Sequence, residues 1–313
     1  MLNGDATTGA VAVLLATFNG ARYLNEQLDS LRRQSWSKID VWVADDYSTD
    51  GSLKILEQAQ GRWSKGKFLI IKGANSRSSA DTFRYLIAKV PSRYQFVAFC
   101  DQDDIWIPEK IENAIAAIGS KTPDPKVYCS RTRLVDETGT DIGLSAAFTK
   151  VPQFRNALVQ SIAGGNTMVM NCAAFALLKE TASRTSFVSH DWWTYMIVTG
   201  AGGKIIYSRQ ADTLYRQHSE NSVGSNEGIA AILARFLWLL RGRFRGWNDR
   251  NVTALNLCRD LLTPEARAVL SAFEVARMGP PWRRIVNLRK SGVFRQTAGE
   301  HVVLYMASIF GLV

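Results

Sequence analysis

Three acidic residues follow directly after a short apolar run, where they could bind a metal ion. Asp101, Asp103 and Asp104 come after Phe96–Cys100, which has the composition of a buried strand. Carboxylates this close together repel one another unless a cation or hydrogen-bond donors offset their charge. A hard divalent ion such as Mg²⁺ or Mn²⁺, shared with diphosphate oxygens, would do so. The alternative is an acidic loop that caps the following helix.

Two further polar groups follow the first and second apolar runs of the chain. Thr17 and Asn19 come after the first run, and Asp46 comes after the second. A carboxylate at this place could accept the N3–H of a uracil or thymine ring, because that base presents a donor between two carbonyl oxygens. Asp50 and Ser52 have an alternative role, since Asp and Ser commonly cap helix N termini.

A candidate general base lies further along the chain, at the start of a predicted helix. Asp191 is followed by Trp192 and Trp193. An aromatic neighbourhood can desolvate a carboxylate and raise its pKa toward the range of a useful base, so Asp191 could take a proton from a substrate hydroxyl. The alternative is a helix-terminal acid favoured by the macrodipole, with both tryptophans in the core.

Two side chains that can donate hydrogen bonds, an arginine and a histidine, follow a later predicted strand. Arg216 and His218 could bind a leaving diphosphate, on which negative charge would develop during a reaction. The alternative for His218 is a purely structural hydrogen-bonding role. His301 lies in an apolar segment, so a structural role is favoured more strongly there.

The elements that must position these residues are predicted from hydrophobic patterning. Apolar β-branched runs alternate with helical patterns, which indicates βα units and a Rossmann-like, mainly parallel sheet flanked by helices. Ligands of such sheets bind beyond the carboxyl ends of the strands. The first strands are predicted at 11–17, 40–44, 68–72, 96–100 and 126–130, with a helix at 110–118 that has Pro108 in its first turn. A second block is predicted as strands at 167–170, 204–207 and 212–215 and helices at 173–185 and 190–199.

Charge divides the chain into two parts. The formal net charge is +10, and residues 229–313 contain thirteen Lys and Arg against five Asp and Glu. We therefore predict a catalytic domain at 1–228, with halves at about 1–130 and 131–228, and a helical basic extension at 229–313. The apolar run 229–240, followed by Arg241, Arg243 and Arg245 with interleaved aromatic residues, favours an anionic membrane surface. An amphipathic helix packed on the domain is the alternative.

The N terminus lacks a signal-peptide pattern, and the longest apolar run is too short to span a bilayer. The four cysteines form no CxxC pair, which fits a reducing compartment. These features together predict a cytoplasmic protein that associates peripherally with the inner face of the membrane.

The motifs taken together resemble glycosyltransferase family 2, and within it the rhamnosyltransferase-like members of bacterial polysaccharide and O-antigen synthesis. The matching segments, in order, are LLATFNGARYLNEQLDSL, DVWVADDYSTDGS, FVAFCDQDDIWIPEKI, GGNTMVMN, HDWWTYMI and LYRQHSENSVG. The resemblance implies a GT-A fold, a nucleotide-sugar donor, a divalent metal and inversion at the anomeric carbon. One departure is Tyr47, where many relatives have glycine.

The resemblance also implies a role for each matching residue. Thr17 and Asn19 would lie near the nucleotide, Asp46 would contact the base, and Asp191 would be the catalytic base. The remaining roles are metal and ribose–diphosphate binding by Asp101, Asp103 and Asp104, a sugar and acceptor pocket at Gly165, Asn166, Thr167 and Trp192, and diphosphate binding by Arg216 and His218. The expected donor is dTDP-L-rhamnose, with UDP-sugars as the alternative, and the expected acceptor is a lipid-linked oligosaccharide.

Three other classes fit less well. A dinucleotide-dependent oxidoreductase requires a GxGxxG turn after the first strand, where this chain has ATFNGARYL. A sugar-phosphate nucleotidyltransferase requires no acceptor base such as Asp191. A nucleic-acid binder explains the basic extension but not the ordered acids at the strand ends, so nucleic acid is not an expected partner.

Overall fold

The computed structural model describes residues 9–119, 123–218 and 242–313. Its first half is a parallel sheet in which β1 (Val11–Thr17) lies between β2 (Ile39–Asp45) and β4 (Phe96–Cys100), with β3 (Phe68–Lys72) outside β2. Side chains alternate between the two faces of β1 and are buried on both, as expected of a parallel sheet covered on both sides. The carboxyl ends of β1, β2 and β4 consequently meet at one edge.

The second half of the sheet is mixed. It consists of β5 (Ile105–Trp106), β6 (Lys126–Val135), β7 (Asp141–Leu144), β8 (Val169–Asn171) and β9 (Lys204–Arg216). Strand β8 pairs antiparallel with β4 and β6, β9 runs parallel to β6, and β5 pairs antiparallel with β9. The order among the described strands is β3-β2-β1-β4-β8-β6-β9-β5, with β7 paired to β6. The predicted α/β class is confirmed.

Helices cover both faces of this sheet and form two hydrophobic cores. The helices of the sheet region are α1 (Ala21–Arg32), α2 (Ser52–Arg62), α3 (Ser79–Lys89), α4 (Lys110–Ile118), α5 (Phe154–Ala157), α6 (Cys172–Arg184) and α7 (His190–Gly200). On one face, Val11, Val13 and Leu15 pack under α1, α2 and α4. On the other, Ala12 and Leu14 pack under α3, α6 and α7.

The C-terminal part is helical and shares a core with the sheet region. Its helices are α8 (Arg243–Leu257), α9 (Pro264–Ala276), α10 (Pro281–Ser291) and α11 (Ala298–Ile309). Trp247 of α8 packs edge-to-face on Trp192, with 6.2 Å between ring centroids, and Phe244 packs against the same core. Trp247 and Phe244 are therefore packed against the protein core, which was the alternative to membrane binding for the aromatic residues of this segment. The predicted anchor segment 229–240, with Arg241, lies outside the described residues.

Several element predictions need correction. Residues 204–207 and 212–215 belong to one strand, β9, whose ladder with β6 continues across register shifts near Arg131. The strand predicted at 126–130 is longer, because β6 runs to Val135 and forms a hairpin with β7. Pro108 lies in a turn before α4, whose N-cap is Glu109. Among residues 9–119, 123–218 and 242–313, no helix has the length and hydropathy needed to cross a bilayer.

Candidate active site

Gln102 joins the loops that follow β1 and β4. Its Oε1 accepts hydrogen bonds from Thr17 Oγ1 and from the Phe18 amide, each at 2.9 Å, and its Nε2 donates to Phe18 O at 3.1 Å. Thr17 is buried at the end of β1, as expected for a residue near a ligand-binding edge. The amide of Gln102 therefore fixes the β1 loop relative to the three acids.

Asn19 and Asp50 join the loops after β1 and β2. Asn19 has a left-handed backbone, with φ at 48°; its amide donates to Ser48 Oγ, and its Oδ1 accepts from the Thr49 amide. Asp50 Oδ2 accepts from the Ala21 amide at 2.8 Å, at the start of α1. Partial burial acts to raise the pKa of Asp50, but hydrogen bonds from Ser52 and Ala21 bring it below the ordinary value. Asp50 thus accepts amides at the starts of both α1 and α2, although the N-cap residues themselves are Gly20 and Gly51.

The Asp46 carboxylate is buried at the end of β2 and is surrounded by the loop after β3. Its two oxygens accept backbone amides of Ser76, at 3.3 Å, and Arg77, at 2.6 Å. Gly73 passes so close that a Cβ there would lie 2.6 Å from Asp46 Oδ1 and 2.8 Å from its Cα. The acid that was expected to contact the base is therefore fixed in place by backbone donors, with lone pairs remaining on each oxygen.

Tyr47, the one departure from the family pattern noted in the sequence, has a backbone conformation that favours glycine. Its φ is 65°, in the left-handed region that glycine adopts without steric cost. The ring is half exposed rather than packed into the sheet edge.

The three acids after β4 differ in environment. Asp104 is fully buried, and burial followed by the charges of Asp103 and Asp101 raises its pKa well above the ordinary value. Burial, then Asp103 and Asp191, raises the pKa of Asp101 to about 7. Asp191 is thus near enough to Asp101 for its charge to contribute. The three acids are therefore crowded, as expected from the sequence. The predicted general base, Asp191, lies near Asp101 of the same cluster.

A buried lysine, which the sequence analysis did not single out, offsets part of this charge. Lys110 Nζ donates to Asn166 O and, at 2.8 Å, to Thr213 Oγ1, and it lies 3.9 Å from the centre of the Trp106 ring. Burial lowers the pKa of Lys110 to about 8, against the opposing effect of nearby acids. Asn166 Nδ2 in turn donates to Asp104 Oδ2 at 2.6 Å. Lys110 therefore positions the residue that orients Asp104.

The donor set suits a hard divalent cation. Asp104 Oδ1 is buried and has no hydrogen-bond partner in the described part of the chain, so its charge is only partly compensated there. Within residues 9–119, 123–218 and 242–313, no three His, Cys, Asp or Glu side chains form a ready-made metal cage. Mg²⁺ in nucleotide sites is commonly bound by one or two carboxylates plus substrate phosphates, and this cluster fits that pattern.

The pKa of Asp101 leads to a prediction about pH. Because that pKa is raised to about 7, the folded protein binds the proton more tightly than the unfolded chain, whose aspartates titrate near 3.8. Protonation of Asp101 therefore contributes its full stabilisation below about pH 4. This contribution to the free energy of unfolding is lost as the pH rises through about 7. We expect the melting temperature of metal-free protein to fall between pH 5 and pH 8 and added Mn²⁺ to restore more of it at pH 8, as measured by scanning calorimetry. Asp101→Asn should flatten both dependences; an unchanged pH profile in that variant would exclude this role.

Arg216 and His218 both lie beside Asp103. His218 Nε2 is 2.9 Å from Asp103 Oδ2, and Arg216 Nε donates to Asp103 O at 3.3 Å. Arg216 is buried, with Nη2 bonded to Glu26 at 2.6 Å, and its guanidinium lies over the Tyr23 ring. The two predicted diphosphate-binding residues are thus adjacent to the acidic cluster and oriented by protein groups.

His190 packs against Gly165 at the start of α7. Its ring stacks on Phe83, with centroids 3.8 Å apart, and burial lowers the pKa of His190 to about 4, so the imidazole is neutral at pH 7. A Cβ on Gly165 would lie 1.9 Å from His190 Nε2. Gly165, Asn166 and Thr167 form a buried 3₁₀ turn that therefore contacts both Asp104 and the helix of Asp191.

We expect Gly165→Ala to displace His190 and with it the first turn of α7. Overpacking of this kind typically costs about 1–3 kcal/mol of stability, and the shift of Asp191 should lower turnover more than donor affinity. Gly246→Ala is the control, because no heavy atom lies within 4 Å of that Cβ position and the substitution in α8 should stabilise the fold. Denaturant unfolding and steady-state kinetics would test both; equal behaviour of the two variants would contradict the close contact.

Asp191 and Trp192 take different positions at the start of α7. Asp191 is partly exposed, and its Oδ1 accepts the Trp192 amide at 2.7 Å. Trp192 is buried, and its indole N–H donates to Ala157 O at 2.6 Å. Because this bond uses the single polar atom of its side chain, Trp192 packs in the core, whereas Asp191 is partly exposed and near enough to Asp101 to affect the pKa of that acid.

The arrangement resembles solved transferase structures. Residues 1–349 of TarS from S. aureus, in complex with UDP-GlcNAc, align with a TM-score of 0.54 at 18% identity, covering 90% of each chain. The mannosyltransferase PcManGT from Pyrobaculum calidifontis, in complex with GDP-Man and Mn²⁺, aligns with a TM-score of 0.50 at 15% identity, covering 92% of this chain and 88% of the other. The fold is therefore of the GT-A type.

Sequence comparison gives the family. Residues 12–185 match the profile of Glycosyl transferase family 2, and the chain belongs to that family of enzymes. The dTDP-rhamnosyl transferase RfbG of Shigella flexneri is 28% identical over 252 residues, which are 77% of this chain and 83% of RfbG. The glucosyltransferase WfaP of Escherichia coli, described as UDP-Glc:alpha-D-GlcNAc-diphosphoundecaprenol beta-1,3-glucosyltransferase, is 22% identical over 69% of this chain and 80% of its own length.

Proposed function

We propose that this enzyme transfers L-rhamnose from dTDP-L-rhamnose, with inversion, to a hydroxyl of a lipid-linked oligosaccharide during synthesis of a cell-surface polysaccharide such as an O-antigen. The observation that supports this proposal is that Asp191 lies near enough to Asp101 for its charge to raise the pKa of that acid. One group that can accept a proton thus lies next to a cluster that can bind a nucleoside diphosphate and its cation.

The donor side lies at the ends of β1, β2 and β4. Thr17 and Asn19 border the nucleotide, and Asp46, oriented by the Ser76 and Arg77 amides, accepts from the base. Asp104, Asp103 and Asp101 would hold Mg²⁺ or Mn²⁺. When bound, this cation supplies positive charge that stabilises the departing diphosphate.

The acceptor side lies across the cluster. Asp191 removes the proton from the acceptor hydroxyl as its oxygen attacks the anomeric carbon. Gly165, Asn166 and Thr167 shape the sugar pocket. Arg216 and His218 lie beside Asp103, where their donors can bind diphosphate oxygens as charge develops, and the half-exposed Glu26 can give up its bond to Arg216.

The choice of donor and acceptor is supported by the relatives. The similarity to RfbG extends over most of both chains and favours dTDP-L-rhamnose. The similarity to WfaP supports a lipid diphosphate acceptor and keeps a UDP-sugar as the second candidate donor. A lipid acceptor places the enzyme at the inner surface of the cytoplasmic membrane.

Release of nucleoside diphosphate from a panel of donors tests the proposal. Purified enzyme would be given dTDP-L-rhamnose, UDP-glucose, UDP-GlcNAc or GDP-mannose with Mn²⁺, Mg²⁺ or EDTA, in the presence of a bacterial lipid extract. We expect lipid-dependent release of dTDP from dTDP-L-rhamnose, abolished by EDTA. Release of UDP from UDP-sugars, without release of dTDP from dTDP-L-rhamnose, would mean that the donor is a UDP-sugar. Release of pyrophosphate would indicate a nucleotidyltransferase.

A further inference from the structure

Two adjacent helices of the extension expose an apolar surface that the catalytic site does not use. We define the outer face as Trp282, Val286, Val302, Val303, Met306 and Phe310. Trp282 and Val302 are each 62% exposed and Phe310 is 67% exposed, so these large side chains are mostly in contact with solvent. Such a concentration marks an interaction surface more often than scattered single apolar residues do.

The outer face is continuous across both helices. Trp282 and Val286 are four residues apart on α10, on the side opposite the buried Leu288, while Val302, Met306 and Phe310 repeat at four-residue spacing along α11. Arg284 Nη1 donates to Ile309 O at 3.2 Å, which holds the beginning of α10 against the end of α11. Packed helices lie about 8–10 Å apart, so the two stripes are neighbours.

Charge around the outer face identifies its partner. Residues 281–291 contain no acid, and the exposed Arg283, Arg289 and Lys290 flank the Trp282–Val286 stripe. Glu300, the acid of α11, is turned toward Thr297 in the capping box and toward Gln160. An exposed stripe of tryptophan and aliphatic side chains with cations on both sides fits the boundary between anionic headgroups and acyl chains.

We propose that the outer face binds the surface of an anionic lipid bilayer. The same helices are fixed to the acceptor side: Arg155 Nη1 donates to Ser291 O at 2.8 Å, and Asn156 Nδ2 donates to Phe294 O at 2.8 Å. The neighbouring Ala157 accepts the indole N–H of Trp192, next to Asp191. Binding through the outer face therefore sets the orientation of the acceptor side relative to the bilayer. This consequence rests on the proposed lipid-linked acceptor, whereas the binding itself does not.

Vesicle sedimentation of the full chain, without donor or acceptor, tests the surface directly. We expect binding to phosphatidylcholine vesicles that contain phosphatidylglycerol, little binding to pure phosphatidylcholine, and a bound fraction that falls with salt. Arg283→Glu with Lys290→Glu should weaken partitioning by at least about 20-fold, and Trp282→Ser with Phe310→Ser by at least about tenfold. Leu257→Ser, which removes an exposed leucine of α8, is the matched control and should bind as wild type.

Donor turnover in the same variants separates this proposal from the proposed function. All variants should keep the circular dichroism spectrum of wild type and its slow release of nucleoside diphosphate to water, measured without lipid, because none of the substituted residues lies at the site. Equal binding by wild type and both double variants, or no preference for anionic vesicles, would overturn the proposal. A wild-type dimer that becomes monomeric in Trp282→Ser with Phe310→Ser, measured by light scattering, would also overturn it by assigning the outer face to a second copy.

Discussion

Asp191→Asn is expected to lower turnover by about 10²–10⁴ while leaving donor affinity close to that of wild type. The amide cannot accept the proton of the acceptor hydroxyl, so the substitution removes the proposed base. The amide has the same shape and can still accept the Trp192 amide at the start of α7. Steady-state kinetics with varied acceptor, together with calorimetric titration of the donor, would measure the two quantities separately.

A second acid at a helix start provides the control for Asp191. Glu265 lies in the first turn of α9 and is mostly exposed, so Glu265→Gln removes a similar favourable interaction with a helix dipole. That interaction is worth about 0.3–1 kcal/mol in stability and nothing in catalysis. If Asp191→Asn behaved like Glu265→Gln, with a small loss of stability and full turnover, Asp191 would be a helix-terminal acid only.

Asp104→Asn is expected to remove most metal-dependent activity, by at least about 10², because a cation at a departing diphosphate contributes several kcal/mol to the reaction. The same substitution removes a carboxyl group whose ionised form is disfavoured by burial and by the charges of Asp103 and Asp101. The metal-free variant should therefore be at least as stable as wild type. Nucleoside-diphosphate release against Mn²⁺ concentration and chemical denaturation without metal would report the two effects.

Asp40→Asn is the matched control for Asp104. Its carboxylate is also buried, but it lies near the opposite end of β2 and accepts the Lys67 amide at 2.7 Å and Tyr94 Oη at 2.8 Å. Loss of charge there should reduce stability and leave the response to Mn²⁺ intact. A normal Mn²⁺ response in Asp104→Asn, or an equal loss of activity in both variants, would remove Asp104 from metal binding.

Strands with strong apolar patterning could be predicted from the sequence, and weakly patterned ones could not. β1, β3 and β4 have the predicted bounds because each is built on a continuous apolar run, which is buried in β1 and β4 and partly buried in β3. β7 was missed because it is only four residues long, contains Gly143 and is exposed along its whole length. β9 was divided in two because Ser208, Arg209 and Gln210 interrupt its pattern, although its pairing with β6 continues on both sides.

The site was predictable where chemistry is local in sequence. Asp101, Asp103 and Asp104 lie close together in the chain, so their crowding follows directly from the sequence. Lys110 was missed because a lysine at a helix start is usually solvated, yet it falls at four-residue spacing with Ala114 and Ile118, on the apolar stripe of α4. A lysine on such a stripe is the signal that could have identified it.

Contacts that depend on tertiary packing could not be predicted from the sequence. The approach of Gly165 to His190 joins segments that are separated by a helix and a strand, and nothing local indicates it. The core position of Trp192 likewise depends on Ala157 and on Trp247 of the extension.

The anomeric configuration of the transferred sugar tests the central claim most directly. Enzyme, metal, dTDP-L-rhamnose and lipid acceptor would be incubated, and the isolated product would be analysed by NMR for its one-bond carbon–proton coupling at the anomeric centre. A single displacement with Asp191 as base predicts a product configuration opposite to that of the donor. Retention of the donor configuration would contradict that mechanism and require a different role for Asp191.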